Sequence, residues 1–377
     1  MPFSFSIYSY NIAGKTETFA RNFMIEILES QMQEIPDVFI FCFQEMSNHS
    51  ILFQVGQDFL PNFEIISVQN GCQGTSKNFN LCTIVLQYTK KKQWDGKGFN
   101  KKPFQSRRLD KKCTSIGFSL DDSKALYFGN KGAIYTVMTV EREKYLIINT
   151  HAPFASQKGI IGSRFGGSYA NFWELFIFSK IRESQMQGKT IIVGDLNSRS
   201  LINPKLNIQI TPKIKNAVDS HFQYRQQTID NPRPLMYKAQ VQQLMNKAQN
   251  QSVMTPREIQ NFQELTKRLK SGDFLSYFME KNGGNFRDID TINFLPTYKI
   301  NENLKQYRLN KGEKLRLPGY TDRILTDIHP ESIRDVTYKS IKKVGSDHFP
   351  VMANFTLFRK FKNIQMMKGD TYYQGKR

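Results

Sequence analysis

Polar residues with chemical potential stand beside short apolar runs along this 377-residue chain. Asn11 follows the first run, Gln44-Glu45 follow VFIFCF, and Asn149-Thr150-His151 follow YLII. Gly194-Asp195-Leu196-Asn197 follow TIIV, Asp322-Arg323 precede ILTDI, and Ser346-Asp347-His348 precede a run beginning at Val351. Singly, each has an ordinary reading as a turn residue, helix cap or hydrogen-bonded bystander. Together they make a hard-oxygen metal site with acid–base partners, suited to Mg²⁺ or another hard cation and not to zinc. In this reading Asn11 and Glu45 ligate the metal, which polarises a phosphoryl oxygen. Asp195 beside Asn197 holds and deprotonates a water, and His348, oriented by a carboxylate, stabilises developing charge. The chemistry is metal-assisted hydrolysis of a phosphate ester.

A polar group just past a buried strand is held rigidly at a sheet edge while facing solvent, so strands must position these residues. Alternation at Phe3, Phe5 and Ile7 predicts a strand from the start of the chain. Strands are expected at Val38–Phe43, Leu81–Tyr88, Ala133–Val140, Tyr145–Thr150, Thr190–Val193, Ile324–Ile328, Asp335–Ile341 and Val351–Leu357. Helical spacing predicts helices over Glu17–Gln33 and Phe172–Met186, and over much of 238–281, with a break near Pro256. These elements imply two packed mixed β-sheets flanked by helices, a four-layer α/β sandwich. One domain is expected over 1–358, with 359–377 a basic tail. Tyr88–Lys112 and Leu201–Leu235 read as surface excursions.

Hydrophobic residues make up 39% of the chain, but 30 Phe and 16 Tyr supply a core that a disordered chain would lack. The formal charge is +20. Residues 1–100 are slightly acidic and each later quarter is basic, so the excess is no single tail. Such a field attracts a polyanion, whether nucleic acid, an acidic membrane surface or a phosphorylated substrate, or serves solubility alone. Cys42, Cys72, Cys82 and Cys113 lack metal or disulfide spacing, which fits a reducing compartment. No apolar run has the length of a membrane span, and MPFSFSIYSYNIAG does not read as a signal peptide. A cytoplasmic protein is expected.

YNIAG, FQEM, NTHAPF, VGDLN and SDHFPV, in that order, resemble the endonuclease/exonuclease/phosphatase superfamily and its DNase-like fold. GNKGAI (Gly129–Ile134), PTYKI (Pro296–Ile300) and EKLRLPGYTDRIL (Glu313–Leu325) are similar to motifs of the inositol polyphosphate 5-phosphatases. The resemblance implies Mg-dependent removal of the 5-phosphate from phosphoinositides such as the 4,5-bisphosphate and 3,4,5-trisphosphate, or from soluble inositol polyphosphates. It implies that Tyr298, Lys299, Lys314 and Arg316 hold the phosphate next to the scissile one, which a phenol and three cations can do. Asn11 and Glu45 look like the metal ligands, with Asp347 a further contributor. His151 and Asp322 resemble a histidine with its orienting carboxylate, while Asp195, Asn197 and His348 keep the roles above. Lys131 either approaches a substrate phosphate or supports its turn.

The chain departs from the family pattern at Ala152, Ser198-Arg199, Tyr320-Thr321 and Phe349, which leaves substrate preference open. The loop Tyr88–Lys112 mixes cations with Trp94 and Phe99, so it is read either as docking on an anionic leaflet or as an ordinary exposed loop. A monomer at the cytosolic face of membranes, with no nucleic-acid partner, is expected. The alternative reading is a DNase-like metal-dependent nuclease, which the +20 charge favours and the PTYK and EKLR motifs do not.

Overall fold

The structure, a computed structural model, describes residues 3–31, 35–47, 63–71, 80–88, 118–128, 131–140, 143–153, 169, 172–198, 243–271, 273, 275–276, 279, 285–303, 306–307, 318–343 and 345–358. Lys314, Arg316, residues 89–112 of the aromatic basic loop, the 201–235 excursion and the 359–377 tail lie outside them. Among the described residues no helix is long and apolar enough to cross a membrane.

β1 (Phe3–Asn11) and β2 (Val38–Met46) run parallel, joined through α1 (Glu17–Ser30). β3 (Phe63–Gly71) and β4 (Asn80–Tyr88) extend this sheet on one side. β13 (Ile333–Ser340) and β14 (Val351–Leu357) extend it on the other, giving the order β13-β14-β1-β2-β4-β3. The second sheet has the order β5-β6-β7-β8-β12-β9. Its members are β5 (Phe118–Phe128), β6 (Lys131–Val140), β7 (Glu143–His151), β8 (Thr190–Asp195), β12 (Asp322–Thr326) and β9 (Arg287–Asp288). β7 and β8 are again parallel, joined through a π-helical segment (Phe172–Phe178) that runs into α2 (Ser179–Glu183). The other pairings within the two sheets are antiparallel, and β10 (Ile300–Asn301) with β11 (Gln306–Tyr307) forms a separate ribbon.

Strands buried on both faces lack polar alternation, which is why VFIFCF reads as one apolar run. Val38, Ile40 and Cys42 point between the sheets, where they meet Met138, Ile147, Ile191, Val193 and Ile324 of the second sheet. Phe39, Phe41 and Phe43 point outward onto α1. That helix buries Ala20, Phe23, Met24, Ile27 and Leu28, a stripe at helical spacing. On the far side, Leu146, Ile148, Ile192 and Leu325 pack against Phe172, Trp173, Ile177 and Ile181. Helix, sheet, sheet and helix are thus the four expected layers.

The break near Pro256 has a local cause. Pro256 is the first residue of α3 (Pro256–Ser271), where a missing N–H costs nothing. Thr255 and Glu258 close a capping box: Glu258 N donates to Thr255 Oγ1 at 3.3 Å and Thr255 N to Glu258 Oε2 at 3.0 Å. A separate helix covers 243–249.

The sequence does not predict β3 and β5, one end strand of each sheet, nor the two-residue strands β9, β10 and β11; β13, at the other end of the first sheet, is predicted. β5 breaks its apolar alternation with Asp121-Asp122-Ser123-Lys124, and its register shifts between Leu120 and Asp122. Polar interruptions and irregular pairing suit an edge strand and erase its sequence signal. β12 also begins earlier than expected, so Asp322 sits within the ladder, opposite Asp195.

Candidate active site

The carboxyl ends of β1, β2, β7 and β8 converge. β12 and β14 are antiparallel to β8 and β1, so their amino ends reach the same edge. Two polar side chains tie the sheets together beneath it. Gln44 Nε2 donates to Asn149 Oδ1 at 2.8 Å, and Asn149 Nδ2 donates to Cys82 O at 2.9 Å and Thr83 Oγ1 at 3.1 Å. Both residues are fully buried, so these strand-end amides are spent on inter-sheet bonding.

Asp195 is the hub. Its Oδ2 accepts from Asn11 Nδ2 at 2.9 Å and lies 3.3 Å from His151 Nε2 and 3.8 Å from His348 Nε2. Its Oδ1 accepts the Asn197 N–H at 2.9 Å. Burial alone would raise this carboxyl; His348, His151 and Lys131 outweigh it and hold the group well below the usual carboxylate range. Asp195 is therefore ionised and a weak base. Asn197 turns back with φ of 48° and donates Nδ2 to Ala152 O at 2.8 Å. Gly194 lets β8 reach this point: a Cβ there would lie 1.8 Å from Thr150 O.

His348 Nδ1 lies 2.8 Å from Asp322 Oδ2, which also accepts Thr297 Oγ1 at 2.6 Å and Thr321 Oγ1 at 2.9 Å. Burial would depress the imidazole, but Asp322, Asp195 and Asp347 raise it to about 10, so His348 is an imidazolium at neutral pH. Burial pushes the Asp322 carboxyl up, and the His348 charge pulls it back. Thr297 and Thr321 donate their hydroxyls to the same oxygen, which favours the ionised form of Asp322 beside the imidazolium. This corrects the pairing that the family resemblance implied: Asp322 orients His348, and His151 instead faces Asp195, Glu45 and Lys131. Register decides it, since β12 places Asp322 beneath the bend before β14 while His151 ends β7.

Glu45 and His151 close the other side. Glu45 has φ of 55°, is about a quarter exposed in its side chain, and brings Oε1 to 3.5 Å from His151 Nε2. Two groups of candidate ligand atoms, each within a 4.8 Å span, share Asp195: Glu45–His151–Asp195 and Asp195–Asp322–His348. Both hold two carboxylates and one imidazole and lack thiolate; the first fits a hard divalent cation better, because Glu45 is partly open to solvent while all three members of the second are buried. Asn11 adjoins it; its Oδ1 accepts the Ala13 N–H at 3.0 Å and keeps a second lone pair.

Tyr298 and Lys299 arrive beside His348. Tyr298 bridges both Gly319 and His348 through its backbone, and its ring centroid lies 4.6 Å from that of His348. Lys299 Nζ is 3.6 Å from Asp347 Oδ2, whose partner oxygen Oδ1 lies 3.8 Å from His348 Nε2. The sequence reading missed Thr297 as a donor, although it lies within PTYK. Arg323, named in the sequence beside Asp322 but given no role, is buried and pairs with Asp273 and Asp288, with support from Ser276. Its pairing with distant carboxylates left no local signal.

The family model described as Endonuclease/Exonuclease/phosphatase family 2 matches residues 8–354, and the chain belongs to that family. Among individual proteins, it is 34% identical over 93 residues to the phosphatidylinositol 4,5-bisphosphate 5-phosphatase INP51 of Saccharomyces cerevisiae. That stretch is 24% of this chain and only 8% of the relative. The fold is similar to the inositol polyphosphate 5-phosphatase domain of SPsynaptojanin, solved with inositol (1,4)-bisphosphate and a calcium ion. That match has a TM-score of 0.54 and 17% identity and covers 95% of this chain and 84% of that one. A Cimex nitrophorin in a ferrous NO complex superimposes equally well, with TM-score 0.54, 16% identity, and coverage of 95% and 99%. The fold thus hosts unlike functions, and the side chains must decide.

Proposed function

We propose that the chain is a divalent-metal-dependent phosphatase that removes the 5-phosphate of phosphoinositides or soluble inositol polyphosphates. The observation that carries this reading is the placement of Tyr298 against His348 and of Lys299 against the adjacent Asp347. A hydrolytic centre alone would serve any phosphate ester; a phenol and an ammonium beside it add a grip for a second phosphate. The 34% identity to a phosphatidylinositol 4,5-bisphosphate 5-phosphatase supports it.

Glu45, Asp195 and His151, with Asn11 beside them, would hold Mg²⁺. The ion, when bound, supplies Lewis-acid polarisation of a phosphoryl oxygen. Asp195, ionised and weakly basic, orients the attacking water more than it deprotonates it. The His348 imidazolium, fixed by Asp322, donates to phosphoryl oxygens as negative charge develops on them. Asn197 and Ala152 hold the β8 turn that aims Asp195. Lys314 and Arg316 are proposed partners of Tyr298 and Lys299 on the neighbouring phosphate, and the aromatic basic loop is proposed to meet an anionic membrane.

The test is phosphate release with Mg²⁺ from phosphatidylinositol 4,5-bisphosphate and from the 5-phosphate-only lipid, with K299M alongside wild type. Release that is strong on the bisphosphate, weak on the monophosphate and selectively reduced on the bisphosphate by K299M supports the reading. Nicking of DNA with no release from any inositol phosphate would replace it with the nuclease.

A further inference from the structure

Lys131 opens β6 one residue before Gly132, which stands opposite His151 in the β6–β7 ladder. Its Nζ lies 2.5 Å from His151 Nε2 and 3.3 Å from Nδ1. The same Nε2 is 3.3 Å from Asp195 Oδ2 and 3.5 Å from Glu45 Oε1. An ammonium has protons and no lone pair, so towards this nitrogen it can only donate. The Nε2 lone pair can serve one cation at a time. Lys131 also contributes to the field that keeps Asp195 ionised, so it neutralises the cluster that two carboxylates and an imidazole build. A divalent ion taking those ligands would face a like charge at close range in a partly buried setting, where screening is weak.

We propose that Lys131 is an exchangeable internal cation: its ammonium and a divalent metal ion compete for the Glu45–His151–Asp195 cluster. Metal entry therefore releases the Lys131 side chain from His151 and leaves a mobile cation beside the site for an anionic ligand. Metal and anion binding are coupled through this one residue. The inference rests on reading that cluster as the metal site. It sets Lys131 apart from surface pairs such as Lys180–Glu183, which are exposed and contribute little.

Two measurements test it, both with Mn²⁺ alone as the probe. Calorimetric titration should show K131M binding Mn²⁺ roughly tenfold tighter than wild type, because a competing charge is gone. Simple repulsion would also tighten binding, so displacement is read separately in the wild-type protein. Acylation by an amine-selective reagent, mapped by mass spectrometry, should rise at Lys131 when Mn²⁺ saturates the site and stay level at the exposed Lys180. Equal or weaker Mn²⁺ binding by a folded K131M overturns the proposal, as does Lys131 labelling that Mn²⁺ leaves unchanged. If K131M does not fold, the wild-type labelling decides alone. Mn²⁺ binding to neither protein would overturn the metal reading of the cluster itself; tight binding with no Lys131 effect removes only the exchange.

Discussion

The two histidines of the site flank one carboxylate and are equally buried, yet their surroundings differ. His348 is pinned from behind by Asp322, which Thr297 and Thr321 hold in turn, and three carboxylates face it. His151 ends a strand, has no carboxylate dedicated to it, and meets Lys131 along with Glu45 and Asp195. One ring is therefore a fixed cation, built to stabilise anionic charge. The other meets the Lys131 ammonium, next to the partly exposed Glu45. Asp195 serves both because it is strongly ionised. A shared anion between two unlike histidines divides the site into an electrostatic half and the half proposed to hold the metal.

Breaking the electrostatic half should have the largest effect. H348A should lower the rate of phosphate release by roughly 10³-fold with little change in the Mg²⁺ requirement, because a positioned acid or charge is lost. A Mg²⁺ titration of the residual rate checks the second part; a large shift there would erase the division. E45Q should do the reverse, raising the Mg²⁺ concentration for half-maximal rate by roughly tenfold as one ligand charge goes. A fall in maximal rate at saturating Mg²⁺ that matches H348A would count against it.

The comparison sharpens with pH. His348 is raised from 6.5 to about 10 on folding, so the stability it contributes is complete below pH 6.5 and falls as pH rises towards 10. Without added metal, stability should drop by up to about 1.4 kcal/mol per pH unit across that window. Denaturant midpoints of wild type and H348N follow it, and the variant should lose that slope. The smallest effect is expected at the outer shell of the pair. T321V removes one of two hydroxyls on Asp322 and should slow turnover about fivefold, the equivalent of about 1 kcal/mol, with a Ser at that position restoring most of it.

Much of this molecule is legible in its chain. The runs at Val38–Phe43, Tyr145–Thr150 and Thr190–Val193 announce strands because burial on both faces demands unbroken apolar residues. The residues beyond them announce a site because rigid strand ends are where polar groups can be fixed. β3 and β5 were not legible: an end strand can carry polar interruptions, as at Asp121–Lys124, and both pair with a register shift. Asn149 and His151 illustrate the limit within a single strand end. Local sequence makes both candidates, yet one became an inter-sheet strut and the other a member of the acidic cluster. Two residues apart on one strand, they share a face of the sheet, and what each meets there is set by the packing of the second sheet.

The chain alone thus specified most of the elements around the site and which residues stand at their ends, because periodicity and turn chemistry act over a few residues. Only the tertiary structure decided that Asp322 belongs to His348 and Lys131 to His151. Those pairings depend on the β12–β8 and β6–β7 registers and on the contact between two sheets. Electrostatic character follows from such pairings over a few ångströms, whatever the separation along the chain.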